Sequence, residues 1–254
     1  MKEKDIFFSK AERIFSENSL FSYLKEEILE KFYLLTSIML ETNEKMNITA
    51  ITDIDSVIAR HYADSLLLLN IDIKEGASIC DIGCGGGFPT FPIAIARPDL
   101  KITSIDSTAK KIAYVNETAK KLGLSNINAI SGRAEEFCFV NEKNKEVCLR
   151  EKFDIATARA VASLPVLCEL CLPFVKVGGS FISLKAKTAD EEIKASENAI
   201  SVLGGKTEKI IKLNLKDETA EEKIAERTLI EIKKVKKTAQ QYPTQYSQIK
   251  KKPL

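Results

Sequence analysis

Residues 81–100 read DIGCGGGFPTFPIAIARPDL, and the reading of this stretch decides the fold. Four glycines fall within five positions, with Asp81 just before them and Phe88-Pro89 just after. SICDIG, ahead of the glycines, is a short apolar strand ending in an acid, and Thr90 to Arg97 has the pattern of a helix. A strand, a glycine turn and a helix in that order form the ligand-binding corner of an open α/β sheet.

The spacing narrows the ligand. A dinucleotide fingerprint needs G-x-G-x-x-G, and the sixth position is Phe88 counted from Gly83 and Thr90 counted from Gly85. A P-loop needs Gly-Lys-Ser/Thr, which does not follow. What stands here is D-x-G-x-G-x-G, carried by Asp81, Gly83, Gly85 and Gly87. A carboxylate in the strand repels a pyrophosphate but accepts from an ammonium group. S-adenosylmethionine, with a sulfonium, an amino-acid end and no phosphate, suits the pattern better. Asp106 ends the next strand, KITSID, 19 residues after Gly87, where a carboxylate accepts from both ribose hydroxyls. Dehydrogenases place an acid similarly, so Asp106 alone does not decide. Ala134 and Glu135, after the third strand, offer a backbone N–H and a carboxylate to an adenine edge. Glu135 equally suits a helix N-terminus.

Beyond the second strand, a helix over Ala109 to Leu122 stops at Gly123, and NINAI, FDIATARA and GGSFISLKA are three more strands. Helices are predicted at Ser163 to Phe174 and Ala189 to Leu203. Asn141 to Lys152 reads as a loop. Two closing strands, Glu208 to Leu215 and ERTLIEIKKV, form an antiparallel hairpin. Strict β/α alternation predicts a parallel sheet covered on both faces. Before residue 71 the chain reads as helical, with Leu24, Ile28, Phe32, Leu35 and Met39 at helical spacing and Asp53, Asp55 or Ser56 capping a further helix. The expected organisation is a helical cap over 1–70 and an α/β domain with a basic tail over 71–254.

The 254 residues, 44% hydrophobic, suit one large domain or one domain with an appendage. Net charge is only +2, but seven lysines and no acid lie between Ile232 and Leu254, which favours an anionic partner such as RNA or a solvated tail. No apolar run approaches the ~18 residues of a membrane span. Six cysteines in a chain of this size do not form a disulfide scaffold, and one histidine gives no zinc set, so a reducing cytoplasm without a bound metal is expected.

KMNITAI, RHYADSLLLL, DIGCGGGFPTFPIAIARPDL, SGRAEE, ATARAVASLPVL and the closing KKKPL together resemble the bacterial ribosomal small-subunit methyltransferase G family, formerly glucose-inhibited division protein B. The resemblance runs in order from Met46 to Leu254. It implies a Rossmann-like class I methyltransferase fold with S-adenosylmethionine as donor. The implied substrate is N7 of a guanine in 16S ribosomal RNA, as free RNA or in a small-subunit particle. It carries cofactor contacts onto Gly83, Phe88, Ala134, Glu135 and Arg159. Two positions depart from the family: Thr90 stands where a glycine is usual, and YPTQYSQIKKKPL replaces a tail with Tyr-Pro-Arg-Lys and a later glycine.

Guanine N7 is an in-plane lone pair without a proton, so its methylation needs no general base, only approach and electrostatics. Arg159, at the end of the fourth strand, is the catalytic candidate: its guanidinium can bond guanine O6 or hold a cofactor carboxylate, or form a surface ion pair. Asn47, Arg60, His61, Lys185, Lys250, Lys251 and Lys252 are candidate RNA contacts. Arg60 and Asp64, four apart, also suit a simple helical pair. A small-molecule methyltransferase and a non-catalytic RNA-binding module on the same fold share the cofactor loop and stay open at this point.

Overall fold

The computed structural model describes residues 2–139, 147–186 and 189–254. A seven-stranded sheet runs β3-β2-β1-β4-β5-β7-β6. The strands are β1 (Ser78–Ile82), β2 (Lys101–Asp106), β3 (Ile127–Ser131), β4 (Phe153–Ala158), β5 (Val175–Lys185), β6 (Gly205–Lys216) and β7 (Ile224–Lys234). β1 to β5 are mutually parallel, and β7 inserts antiparallel between β5 and β6, as expected of the closing hairpin. β1 pairs with β2 on one side and β4 on the other, so the chain reverses its direction of winding there and opens a crevice at the strands' carboxyl ends.

Alternation along each strand feeds two cores. Ile79, Ile102, Ile155 and Leu229 face one layer, and Cys80, Ile105, Ala156 and Ile230 face the other. The first layer holds α1 (Glu3–Glu17), α2 (Glu26–Asn43), α5 (Thr90–Ala96), α6 (Ala109–Lys121) and a continuous helical run over 54–70. The N-terminal helices therefore share one apolar core with the sheet. The second layer holds α7 (Leu164–Cys171), α8 (Ala189–Ala195), α9 (Glu197–Val202) and α10 (Tyr246–Lys251).

The run over 54–70 is not a regular helix. It opens as α3 (Ile54–Ser56), with Asp53 Oδ1 accepting from the Ser56 N–H at 3.0 Å. It widens into π turns over Val57–Ala63, tightens as α4 (Asp64–Leu66), and closes as a 3-10 turn over Leu67–Asn70. π turns of this kind gather at functional sites, and this one carries His61.

Two expectations shift, and a third is tested only in part. The helix foreseen over 189–203 is two, because the Ser196 hydroxyl donates to the Glu192 carbonyl at 2.6 Å and the chain turns there. Residues 141–146 of the foreseen loop lie outside the described residues. The lysine-rich end is not one patch. Lys234 is wholly buried, its Nζ donating to the Leu172 carbonyl at 2.7 Å and to Thr238 Oγ1, and burial pushes its pKa down to about 8. Lys233 pairs in register with Ser180, midway along β5, and does not line the crevice. Lys250, Lys251 and Lys252 are exposed at and just beyond α10. The tail before them is pinned: Arg150 donates to the carbonyls of Thr238, Ala239 and Tyr242, and the Thr244 N–H and hydroxyl both donate to Glu169 Oε1 at 2.8 Å.

Candidate active site

A cavity of about 430 Å³ occupies the crevice at the carboxyl ends of β1 to β4, within the size range of cofactor sites. Its floor is the glycine turn. Gly83 has φ +76° and a Cβ there would lie 2.6 Å from Val161 Cγ2, so the backbone must stay bare on the cavity side. Gly87 (φ +88°) is behind the floor, where a Cβ would lie 2.2 Å from the Phe91 ring. The β2 end supplies Asp106, whose Oδ2 accepts from the Gly85 N–H at 3.0 Å and whose Oδ1 accepts from the Thr108 N–H at 2.8 Å. Both oxygens keep a lone pair for a ligand. On the far side Ala134 and Glu135 open a short 3-10 turn, with Glu135 Oε1 accepting from the Tyr246 N–H at 3.2 Å.

Arg159 forms the opposite wall. It is fixed by the 54–70 run: Nη1 donates to the Arg60 carbonyl at 2.9 Å and Asp64 Oδ2 at 3.0 Å, and its guanidinium lies 5.6 Å from the centroid of the Phe88 ring. His61 stacks on Phe88, with ring centroids 4.4 Å apart and 12° between planes. Burial, reinforced by Arg159 and Arg60, pushes the His61 pKa down to about 3, so the ring is neutral. The foreseen Arg60–Asp64 pair does not form. Arg60 instead bonds Asp217 beyond β6 at 2.5 Å, and Asp64 is shared between Arg159 and Arg227 of β7, the latter at 2.6 Å.

Gly83, Gly85, Phe88, Asp106, Ala134, Glu135, Arg159 and His61 thus line a single cavity. Asp81 and Gly87 stand behind it. Asp81 is buried, and Thr90 Oγ1 donates to its Oδ2 at 2.6 Å. Thr90 has a single proton, so Ser104 Oγ, 2.7 Å away, donates to Thr90 in turn. Burial pushes Asp81 up to about 6 against the Thr90 hydrogen bond, and its Oδ1 has no protein partner among the described residues. Thr90, the departure from the family pattern, is therefore the anchor of the motif's acid. Asn47 is exposed, one residue before the cavity-lining pair Ile48-Thr49. Lys185 is committed to the Ala162 carbonyl at 2.7 Å and Glu192 at 2.9 Å. Lys250 to Lys252 lie on the tail whose Tyr246 reaches the cavity rim. Arg227 and Tyr246 carry no local sequence signal. Only their distant partners give them a place.

The sequence pattern of a family described as rRNA small subunit methyltransferase G matches residues 28–225. Proteins called ribosomal RNA small subunit methyltransferase G from Clostridium beijerinckii and Lactobacillus helveticus are each 42% identical to the chain over 232 and 234 residues, 91% of this chain and 92% and 93% of theirs. The chain belongs to the rRNA small-subunit methyltransferase G family. Among solved structures it is similar in fold to M. jannaschii TYW2 in complex with AdoMet (TM-score 0.51, 16% identity, covering 68% of this chain and 75% of that one). It is also similar in fold to the [4+2]-cyclase SpnF (TM-score 0.54, 14% identity, covering 81% and 94%).

The cavity of this family member fits S-adenosylmethionine by its lining. Asp106 has two free lone pairs for ribose hydroxyls, and the bare Gly83 backbone allows close approach. Among the described residues no cluster of His, Cys, Asp and Glu could hold a metal, and no helix is long and apolar enough to cross a membrane.

Proposed function

We propose that the protein transfers a methyl group from S-adenosylmethionine to N7 of a guanine in 16S ribosomal RNA, presented as free RNA or in a small-subunit particle. The observation that carries this reading is the 42% identity to small-subunit methyltransferases over nine-tenths of both chains. The bound cofactor supplies an electrophilic methyl on a sulfonium. The protein's own residues do the rest. Asp106 accepts from the ribose hydroxyls, Glu135 and the Ala134 backbone meet the adenine edge, and Asp81 holds a negative charge behind the floor. Arg159, clamped by Asp64, places a fixed positive charge in the wall, and Phe88 with His61 closes that wall to water. N7 has no proton to remove, so positioning and preorganised charge suffice. Lys250 to Lys252 and the tail supply contacts to RNA phosphates. The six free thiols suit a reducing compartment, and we place the protein in the cytoplasm.

The test is transfer of labelled methyl to small-subunit RNA, with the product nucleoside identified. N7-methylguanine is expected from the wild type, with Arg159→Ala and Glu135→Ala each reduced at least tenfold. Labelled product at any other atom, or only on small molecules, would refute the assignment.

A further inference from the structure

Thr49 lies in the cavity wall, and its hydroxyl has an unusual set of neighbours. The Ile51 N–H donates to Thr49 Oγ1 at 3.0 Å. His61 Nε2 lies 2.9 Å from the same oxygen. The direction of that second bond follows from the other side of the ring. Arg159 Nη2, which can only donate, faces His61 Nδ1 at 3.4 Å. Nδ1 must therefore accept, and the single ring proton of the neutral imidazole sits on Nε2 and points at Thr49. Asp64 fixes Arg159, Arg227 fixes Asp64, and the stack on Phe88 fixes the ring plane.

Thr49 Oγ1 thus accepts two hydrogen bonds, which uses both lone pairs. Its own proton must leave in the remaining tetrahedral direction. Among the described residues nothing accepts it. The wall therefore presents a hydroxyl that is a donor and cannot act as an acceptor. Guanine shows two acceptors on the edge that carries N7, namely N7 and O6, whereas adenine shows an amino group beside N7. N7 has to keep its lone pair free to attack, so O6 is the acceptor left for a donor.

We propose that the Thr49 hydroxyl donates to O6 of the target guanine and selects guanine over adenine, with His61 as the positioning residue that fixes the hydroxyl's direction. The proposal rests on the N7-guanine reading above.

The test replaces the target guanine in the RNA, once mapped, by 2-aminopurine, which keeps N7 and lacks O6. The measured quantity is the ratio of kcat/KM for the two RNAs, which general damage to the fold does not change. Wild type is expected to prefer guanine by about tenfold or more, the range of one well-placed base contact. Thr49→Val should bring the ratio within threefold of one, Thr49→Ser should restore it, and His61→Phe, which keeps a ring on Phe88, should lower it. S-adenosylmethionine affinity, measured by calorimetry, should stay unchanged in Thr49→Val. A wild-type ratio near one overturns the proposal without any variant. So does an unchanged ratio in Thr49→Val, and a tenfold loss of cofactor affinity with that unchanged ratio would assign the hydroxyl to the cofactor. Methyl transfer at guanine N7 with an unchanged ratio overturns this proposal alone. No transfer to guanine N7 by the wild type overturns the functional reading and the proposal together.

Discussion

Asp106→Asn is the sharpest probe of the cofactor reading. In the wild type each carboxylate oxygen receives one backbone N–H, from Gly85 and from Thr108, and keeps one lone pair for a ribose hydroxyl. An asparagine amide has one acceptor oxygen. Whichever way it turns, its NH2 faces one of those backbone N–H groups, and one hydroxyl loses its acceptor. A hydrogen bond to a charged group is worth about 1.5–3 kcal/mol, and the surviving bond becomes a neutral one worth about 1 kcal/mol less. The combined loss is about 3 kcal/mol, or about 100-fold in Kd. Isothermal calorimetry with S-adenosylmethionine and with S-adenosylhomocysteine measures it. Both should weaken together, because the ribose is common to them. A thermal melt without ligand reports any separate damage to the turn. A Kd within threefold of wild type for both ligands, with an unaltered melt, would refute the assignment of Asp106 to the ribose.

Further outcomes follow from the same contacts. His61 is held neutral in the fold, with a pKa near 3, but takes a proton near 6.5 when unfolded, so stability falls as pH drops below 6.5. The His61 share of that loss should reach about 2–3 kcal/mol by pH 4.5, and denaturant unfolding of His61→Phe should show a correspondingly flatter acid limb. Lys250, Lys251 and Lys252 changed together to Ala should reduce the log–log salt slope of RNA binding by about 2, at about 0.7 per single-strand phosphate contact. Buried Lys234→Met should leave that slope unchanged, as filter binding across a salt series would show. Gly87→Ala places a Cβ against the Phe91 ring at a positive φ and should destabilise the fold by about 3 kcal/mol, measured by urea unfolding. An unchanged midpoint would show that the turn relaxes freely.

The sequence made the succession of strands and helices along the chain, the glycine floor and Asp106 legible because these signals are local. Turn glycines, strand-ending acids and the stop at Gly123 act within a few residues of where they are written. What stayed hidden depends on partners far along the chain. Lys234 reads as one of a run of solvated lysines, and only the Leu172 carbonyl and Thr238 show it as a core residue. Arg60 and Asp64 have the spacing of a helical pair, yet the π turns and the β6–β7 hairpin give each a different partner. Thr90 reads as a departure from the family, and its meaning depends on Asp81 and Ser104 meeting it from two neighbouring strands. The resemblance supplied substrate and atom, which neither spacing nor composition carries.

The 54–70 run explains why the N-terminal helices belong to the chemistry. Ser56, Arg60 and Asp64 recur every four residues and meet the closing hairpin at Thr219, Asp217 and Arg227. His61, between them, turns to the cavity. Asp64 does both, since its second oxygen clamps Arg159. A sheet with its glycine turn can hold an adenosine, but it cannot by itself orient a guanidinium or settle which imidazole nitrogen bears the proton. Those come from one helical run gripped by β7. A disturbance at the hairpin would therefore reach the cavity wall by two routes, through the Asp64 carboxylate and through Arg60, whose side chain bonds Asp217 and whose carbonyl accepts from Arg159. Among the described residues, removing Arg227 leaves Asp64 with Arg159 as its one cationic partner.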